Sequence, residues 1–428
     1  MTDTNSLLQP LPGFSSGVPI RPRLACLDNY GPGLPLLLLA VLPSQTAAFI
    51  NIDRNEGNHP LEATILQKKR LNHHWAWRII IKPEIYLSPY YAIEKKLCVI
   101  PDIDDKIHII KDRKKSTIHD LDSLVTSPLN IWNEIVVAGF ADGSVRGISI
   151  ENNRLGQVRF KLKDRINARP IIEELNGRPW IFFGTAAGKF YSYDLHTIEQ
   201  HHSSKQNGVQ EKAELYYAGN CTLSAGTVFK PATQPKKRWL AFGCDNGRLH
   251  CIDAETGKTP SGPGIITLPI DVGRFLNKEN IKIRSAVKFI KHGSVEQPSY
   301  EQPSYLVFYV DEAGGNTLEG KRFGRLCIVD LFKFADQVRF YPPASKNAVG
   351  PLIGSPQITD KGRICLTTKN DFTVLELAQK SPFEIKLLKQ CRIEDGVSST
   401  PLIIDSTAYF GSESGRLYAT STEHGRSQ

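Results

Sequence analysis

Hydrophobic positions along this chain fall into short runs that alternate with polar residues at a period of two and break at glycine turns. The clearest stretch is Arg178-Pro-Trp-Ile-Phe-Phe-Gly-Thr-Ala-Ala-Gly-Lys-Phe-Tyr-Ser-Tyr-Asp194. Trp180–Phe183 is an aromatic and aliphatic run that predicts a strand. Gly184 and Gly188 frame a reversal, and Lys189–Asp194 resumes the alternation. The unit recurs at Val136–Arg146, Leu240–His250 and Ala408–Tyr418, each with Gly-x-x-x-Gly between strand-like runs. A unit repeated in this way predicts a repeat architecture before it predicts any chemistry.

A second signal marks where units begin. Ser88-Pro-Tyr, Ser127-Pro-Leu, Arg169-Pro-Ile, Ser355-Pro-Gln and Thr400-Pro-Leu each place proline at a strand start, where no ladder bond is lost. Together the two signals define eight units. Their second turn positions are Ala47, Asp105, Gly143, Gly188, Gly247, Gly324, Asn370 and Gly415, at spacings that suit four-stranded propeller blades. Fourth strands are expected at Gln157–Lys163, Gly264–Leu268, Gln337–Tyr341 and Glu384–Leu388. The tandem Glu-Gln-Pro-Ser-Tyr at 296–305 reads as a surface insertion.

The expected fold is an all-β propeller of four-stranded blades, eight in number with seven as the alternative. Residues 1–16 form an N-terminal arm, 17–422 one propeller domain and 423–428 a tail. Unit eight has room for only three strands, so the arm around Leu7–Phe14 is expected to supply its fourth and close the ring. Closure removes exposed sheet edges.

Composition adds little to this picture. Of 428 residues, 40% are hydrophobic, and 53 Lys and Arg against 44 Asp and Glu leave a formal charge of +9. That balance favours acidic partners without naming one. The start, Met1-Thr-Asp-Thr-Asn-Ser-Leu7, has neither the basic nor the apolar region of a secretory signal. The most apolar run, Leu34–Leu42, is too short to span a bilayer and contains Pro35. A cytoplasmic protein without a membrane segment is expected. The eight cysteines form no C-x-x-C pair and are expected to be reduced.

Apolar run, Gly-x-x-x-Gly, alternating strand and an Asp-x-x-Thr-Gly ending together resemble the repeat of PQQ-like propellers, the quinoprotein and BamB type. Leu240–Lys258, with Asp253-Ala-Glu-Thr-Gly257, is the clearest match, and Asp194-Leu-His-Thr197 carries part of the same ending. The resemblance covers about 18–422 and implies a propeller. It also implies what a quinoprotein enzyme would need: a vicinal Cys-Cys over the cofactor, a stacking Trp and an export signal. The chain has no Cys-Cys dipeptide, and its five tryptophans fall in or beside predicted strands. No PQQ and no other cofactor is expected, and the resemblance carries no activity by itself.

Other candidates have simpler readings. His73-His74 and His201-His202 lack further ligands at metal spacing. Pro101-Asp-Ile-Asp-Asp105 lacks the glycine and distal Glu of a calcium loop, and Asp suits a turn. Cys244 and Cys251 lie on neighbouring strands, near enough for a bond, with reduced burial preferred. No nucleophile–base set stands out. What remains is basic: Lys111, Arg113, Lys114 and Lys115, then Arg154, Arg159, Lys161, Lys163, Arg165 and Arg169. Alternation along Gln157–Lys163 puts Arg159, Lys161 and Lys163 on one face, spaced at about 7 Å. These residues are the expected site for an acidic partner.

The function expected is a non-catalytic scaffold that binds partner proteins in a larger cytosolic assembly. Bacterial conflict systems are one home that the resemblance implies. A nucleic-acid-binding subunit using the basic rim and a quinone- or small-molecule enzyme are the alternatives.

Overall fold

The structure is a computed structural model. It describes residues 4–7, 25–29, 36–42, 46–53, 62–70, 90–92, 97–101, 107–111, 114–118, 123–132, 135–149, 154–162, 164–195, 214–231, 234, 236–261, 268–291, 304–312, 323–331, 338–350, 352–378 and 384–423. The described strands form eight sheets, taken here in chain order. They group into two compact units, 1–122 with 352–428, and 123–351.

Residues 123–351 hold the third to sixth sheets. The third is Asn130–Trp132, Ile135–Gly139, Ser144–Ser149 and Arg154–Lys161, and the fourth is Ile171–Leu175, Arg178–Gly184, Lys189–Asp194 and Glu214–Tyr217. The fifth is Thr227–Phe229, Trp239–Gly243, Arg248–Asp253 and Ile270–Asp271. In the sixth, Ile281–Ile283 and Lys288–Lys291 both pair with Ser304–Glu312, and Phe323–Asp330 and Val338–Tyr341 follow. The third, fourth and fifth are antiparallel meanders, so successive strands are hydrogen-bonded neighbours there.

The inner strands are apolar on both sides because both faces of a sheet meet a neighbour. In the strand Arg178–Gly184, Ile181 and Phe183 pack with Val137 and Val145 of the third sheet. Phe182 packs with Leu240 and Phe242 of the fifth. The far side of the fifth sheet, Trp239, Ala241 and Cys251, packs with Leu306, Phe308 and Cys327 of the sixth. These interfaces are close to fully buried.

Gly-x-x-x-Gly has two separate jobs. The second glycine turns the chain: Gly143, Gly188, Gly247 and Gly415 have φ of +78°, +77°, +79° and +81°, a region that only glycine enters freely. The first glycine lets the next sheet come close. A Cβ on Gly243 would sit 2.1 Å from Ile283 Cγ2, and one on Gly139 2.5 Å from Ile166 Cγ2. A serine from the segment leading into the same sheet then accepts a hydrogen bond from the strand's end. Gly139 N donates to Ser127 Oγ at 2.7 Å, Gly243 N to Ser224 Oγ at 2.9 Å and Gly411 N to Ser399 Oγ at 2.8 Å.

In the other unit, the first sheet is Ala25–Asn29, Leu36–Leu42, Thr46–Asp53 and Glu62–Arg70, and the second is Tyr90–Ala92, Leu97–Pro101, Ile107–Lys111 and Lys114–Ile118. The seventh runs Gln357–Ile358, Ile364–Thr367, Asp371–Ala378 and Glu384–Arg392, and the eighth has Leu402–Ile404, Thr407–Gly411 and Leu417–Ser421. Phe372 and Val374 pack against Phe410 and Tyr418 between these last two.

Three expectations change in detail. The arm strand Thr4–Leu7 pairs in parallel with Glu384–Arg392 of the seventh sheet, not with the three-strand eighth. Leu7 faces Arg392 there, and 8–14 lie outside the described residues. The nine-residue strand Glu384–Arg392 ends its meander with a long open edge, which an extended segment can extend. The expected strand at 264–268 lies outside the described residues except for Leu268. The fifth sheet's fourth strand is Ile270–Asp271, stopped by the helix Val272–Leu276 that Asp271 caps. The insertion is shorter than 296–305, because Ser304 and Tyr305 open a strand and Tyr305 is buried.

Candidate binding edge and a buried polar cluster

The basic residues expected to meet an acidic partner fall in three places. Lys111 ends one strand of the second sheet and Lys114 and Lys115 open the next, with Lys111 opposite Lys114. Arg113 lies outside the described residues. Arg154, Arg159 and Lys161 lie on Arg154–Lys161, the last strand of the third sheet, which pairs on one side only among the described residues. Register sets Arg159 opposite Arg146 and Lys161 opposite Ser144. Phe160 lies opposite Val145. Arg154 faces Ser149 beyond an irregularity in the ladder, so simple alternation does not carry from Arg159 back to it.

Past this strand the chain leaves the edge. Leu162 is buried and its N–H donates to Gly143 O at 2.9 Å. Lys163 lies outside the described residues. Arg165 is half-buried on the connection to the fourth sheet, where its carbonyl accepts from Ala186 N at 2.9 Å. Arg169 Nε donates to Leu129 O at 3.0 Å, tying that connection to the start of the third sheet. The structure therefore gathers Arg159 and Lys161 on one strand and places Arg165 and Arg169 elsewhere.

Beneath the strand, Arg146 is a buried cation. Its Nη2 donates to Asp142 Oδ2 at 2.7 Å and its Nε to Ser144 Oγ at 2.8 Å, while its guanidinium carbon lies 4.4 Å above the Phe140 ring. Burial raises the Asp142 pKa, but hydrogen bonds from Ser144 and Arg146 outweigh it and the carboxyl ends below its ordinary value. Asp142 thus stands beside the buried guanidinium as a counter-ion.

One turn that looks chemical in the sequence is structural. Asp253 Oδ1 accepts from Glu255 N, Thr256 N and Thr256 Oγ1 at 2.9–3.1 Å, which folds Asp-x-x-Thr-Gly into a turn. A Cβ on Gly257 would meet Leu215 O of the fourth sheet at 2.0 Å, so its glycine serves packing. Among the described residues no group of three or more His, Cys, Asp or Glu could hold a metal ion. His73, His74, His201, His202 and Asp102–Asp105 lie outside them.

One cluster was not legible from spacing. His250 is 3% exposed, stacks on Phe242 at 5.4 Å and shares a 3.2 Å hydrogen bond from Nδ1 to the Tyr216 hydroxyl. Its Nε2 has no hydrogen-bond partner. Burial, with Arg248 nearby, pushes its pKa down to about 4, so the ring is neutral at physiological pH. In the same interface between the fourth and fifth sheets lie Cys221 and Cys244, with sulfurs 2.8 Å apart. Cys251, the partner that strand adjacency offered Cys244, sits on the opposite face, beside Trp239 and Leu249. Side chains on successive strands share a face only when directly opposed, and Cys251 is opposed to Ala241. The one pointer in the sequence is that Cys221 closely precedes Ser224, the serine that seats the fifth sheet.

Among the described residues no helix is long and apolar enough to cross a membrane. No protein-family model matches the chain, and no curated protein does. Solved structures do. The computationally designed Ika8 protein superposes with a TM-score of 0.60 at 11% identity, over 97% of this chain and 100% of the other. BamB from Moraxella catarrhalis superposes with a TM-score of 0.56 at 12% identity, over 96% and 99%. At such identities the likeness speaks for the fold alone: an all-β chain of four-stranded antiparallel sheets, of propeller type.

Proposed function

We propose that this chain is a non-catalytic, cytoplasmic eight-bladed propeller that acts as a platform in a larger assembly. It captures acidic, extended segments of partner proteins along its outer sheet edges. The observation that carries this reading is the chain's own arm: Thr4–Leu7 adds to the last strand of the seventh sheet in parallel. That is strand addition at an outer edge, a common way for a sheet to bind a peptide, with main-chain bonds for affinity and side chains for choice. The last strand of the third sheet, which carries Arg159 and Lys161, offers the same kind of edge among the described residues. Lysine and arginine on such a strand also guard against indiscriminate edge pairing, and an acidic segment is the partner that such a guard admits.

The test is a titration of the full chain with a synthetic peptide alternating Glu with Val, beside a single-stranded oligothymidine. Changing Arg159, Lys161 and Lys163 together to Gln should weaken peptide binding about tenfold and flatten its salt dependence. Equal peptide binding by the variant and the parent would overturn the reading. So would retention of oligothymidine with a steep salt slope that the variant loses, which would make the edge a nucleic-acid site.

A further inference from the structure

We propose that Cys221 and Cys244 are a redox pair that closes to a disulfide when the folded protein meets a peroxide. This goes beyond the platform reading and does not depend on it. The two sulfurs are 2.8 Å apart, closer than sulfurs in ordinary van der Waals contact and short of a bond. Both residues belong to the hydrophobic interface of the fourth and fifth sheets, Cys221 at 6% exposure and Cys244 at 0%. Their backbones are fixed near one another by the fold itself. Leu223, two residues after Cys221, bridges to Cys244, and Asp245 N donates to Thr222 O while Thr222 N donates to Asp245 Oδ1. The thiols thus meet through a segment that cannot drift away without breaking the seat of the fifth sheet.

The two thiols are not equivalent, which sets the order of steps. The contact between the two sulfurs holds the Cys221 thiol below its ordinary pKa, while the same contact and burial push Cys244 well above its own. Cys221 is also the more exposed. Its sulfur attacks one peroxide oxygen, the O–O bond breaks, and the thiol proton leaves with the departing hydroxide as water, giving a sulfenic acid. The Cys244 sulfur then attacks the Cys221 sulfur, the S–O bond breaks, and the Cys244 proton converts the departing hydroxide to a second water. Two thiols are oxidised by two electrons and one peroxide is reduced. Cys251, Cys327 and Cys365 are buried thiols whose pKa burial raises, which leaves them inert.

The closed form would tie the connection after Tyr217 to the turn at Cys244. Tyr217 is half exposed and its hydroxyl donates to Asn220 Oδ1, next to Cys221. The bond would therefore act on an outer strand end of the fourth sheet and stiffen it.

Treat the folded full chain with hydrogen peroxide at neutral pH, quench with an alkylating agent and map peptides without reduction. The intact mass should fall by two hydrogen atoms, and the peptides holding Cys221 and Cys244 should be joined. Dithiothreitol should separate them, and the oxidised form should melt several degrees higher than the reduced one. In Cys244→Ser the reaction should stop at a Cys221 sulfenic acid that dimedone traps, whereas the parent should give no adduct. If that variant does not fold, the map of the parent decides alone. A sulfenic acid that persists in the parent, a bond joining any other pair, or two independently alkylated thiols after peroxide would each overturn the proposal.

Discussion

The third and fifth sheets carry the same glycine turn and fill it with opposite chemistry. In both, a serine oxygen accepts the N–H of the first glycine, the second glycine has φ near +78°, and the residue three places further is buried. In the third sheet that residue is Arg146, a charged group held by Asp142 and lying over Phe140. In the fifth it is His250, held neutral, bonded to Tyr216 and stacked on Phe242. The backbone device makes a slot, and the slot accepts a cation only where a carboxylate stands beside it. The equivalent of Asp142 in the fifth sheet is Asn246, which is exposed and accepts only Arg248 N at 3.1 Å.

The comparison fails most visibly if the cation does not need its carboxylate. Asp142→Ala takes the Asp142 carboxylate away from the buried Arg146 guanidinium and should cost about 3 kcal/mol in urea unfolding. Asn246→Ala should cost less than about 0.5 kcal/mol. Equal losses would mean that the two slots are not different in kind.

Acid should separate the sheets next. His250 has a folded pKa of about 4, below its unfolded value near 6.5, so between those values only the unfolded chain takes the proton. Stability from this group is present above the unfolded value and falls as pH drops, by about 3 kcal/mol at pH 4. Asp142 has its folded pKa lowered beneath 3.8, so its share is kept through that window and is lost only below it. His250→Gln should therefore flatten the decline in melting temperature between pH 6.5 and 4. A decline of the same size in this variant as in the parent would show that the folded His250 does not keep its lowered pKa.

A smaller loss than that of Asp142→Ala should be shared by the two sheets. Ser127→Ala and Ser224→Ala each leave a buried glycine N–H without its acceptor and should cost about 1–2 kcal/mol, to similar extents. A difference of more than about 1 kcal/mol would show that the slot's contents, and not its backbone, hold the serine in place.

What the sequence determined by itself is the repeat and its punctuation. Alternation in Arg178–Asp194, glycine at 184 and 188, and the Ser-Pro starts are local properties: a strand's two faces and a positive φ depend on neighbours in the chain. The strand at Arg154–Lys161 was legible for the same reason, since apolar and polar residues alternate along Gln157–Lys161. Only the tertiary structure decided which groups meet across sheets. Phe182 and Phe183 read alike along the chain, yet one faces the fifth sheet and the other the third. The arm's choice of the seventh sheet depends on which edge lies open, and the irregularity that separates Arg154 from Arg159 depends on cross-strand register. Cys244 found Cys221 instead of Cys251, because sulfur contacts sulfur through the packing of one sheet's connection on the next one's turn. Distances of that kind are set by the closure of long loops, and spacing along a chain carries no measure of them.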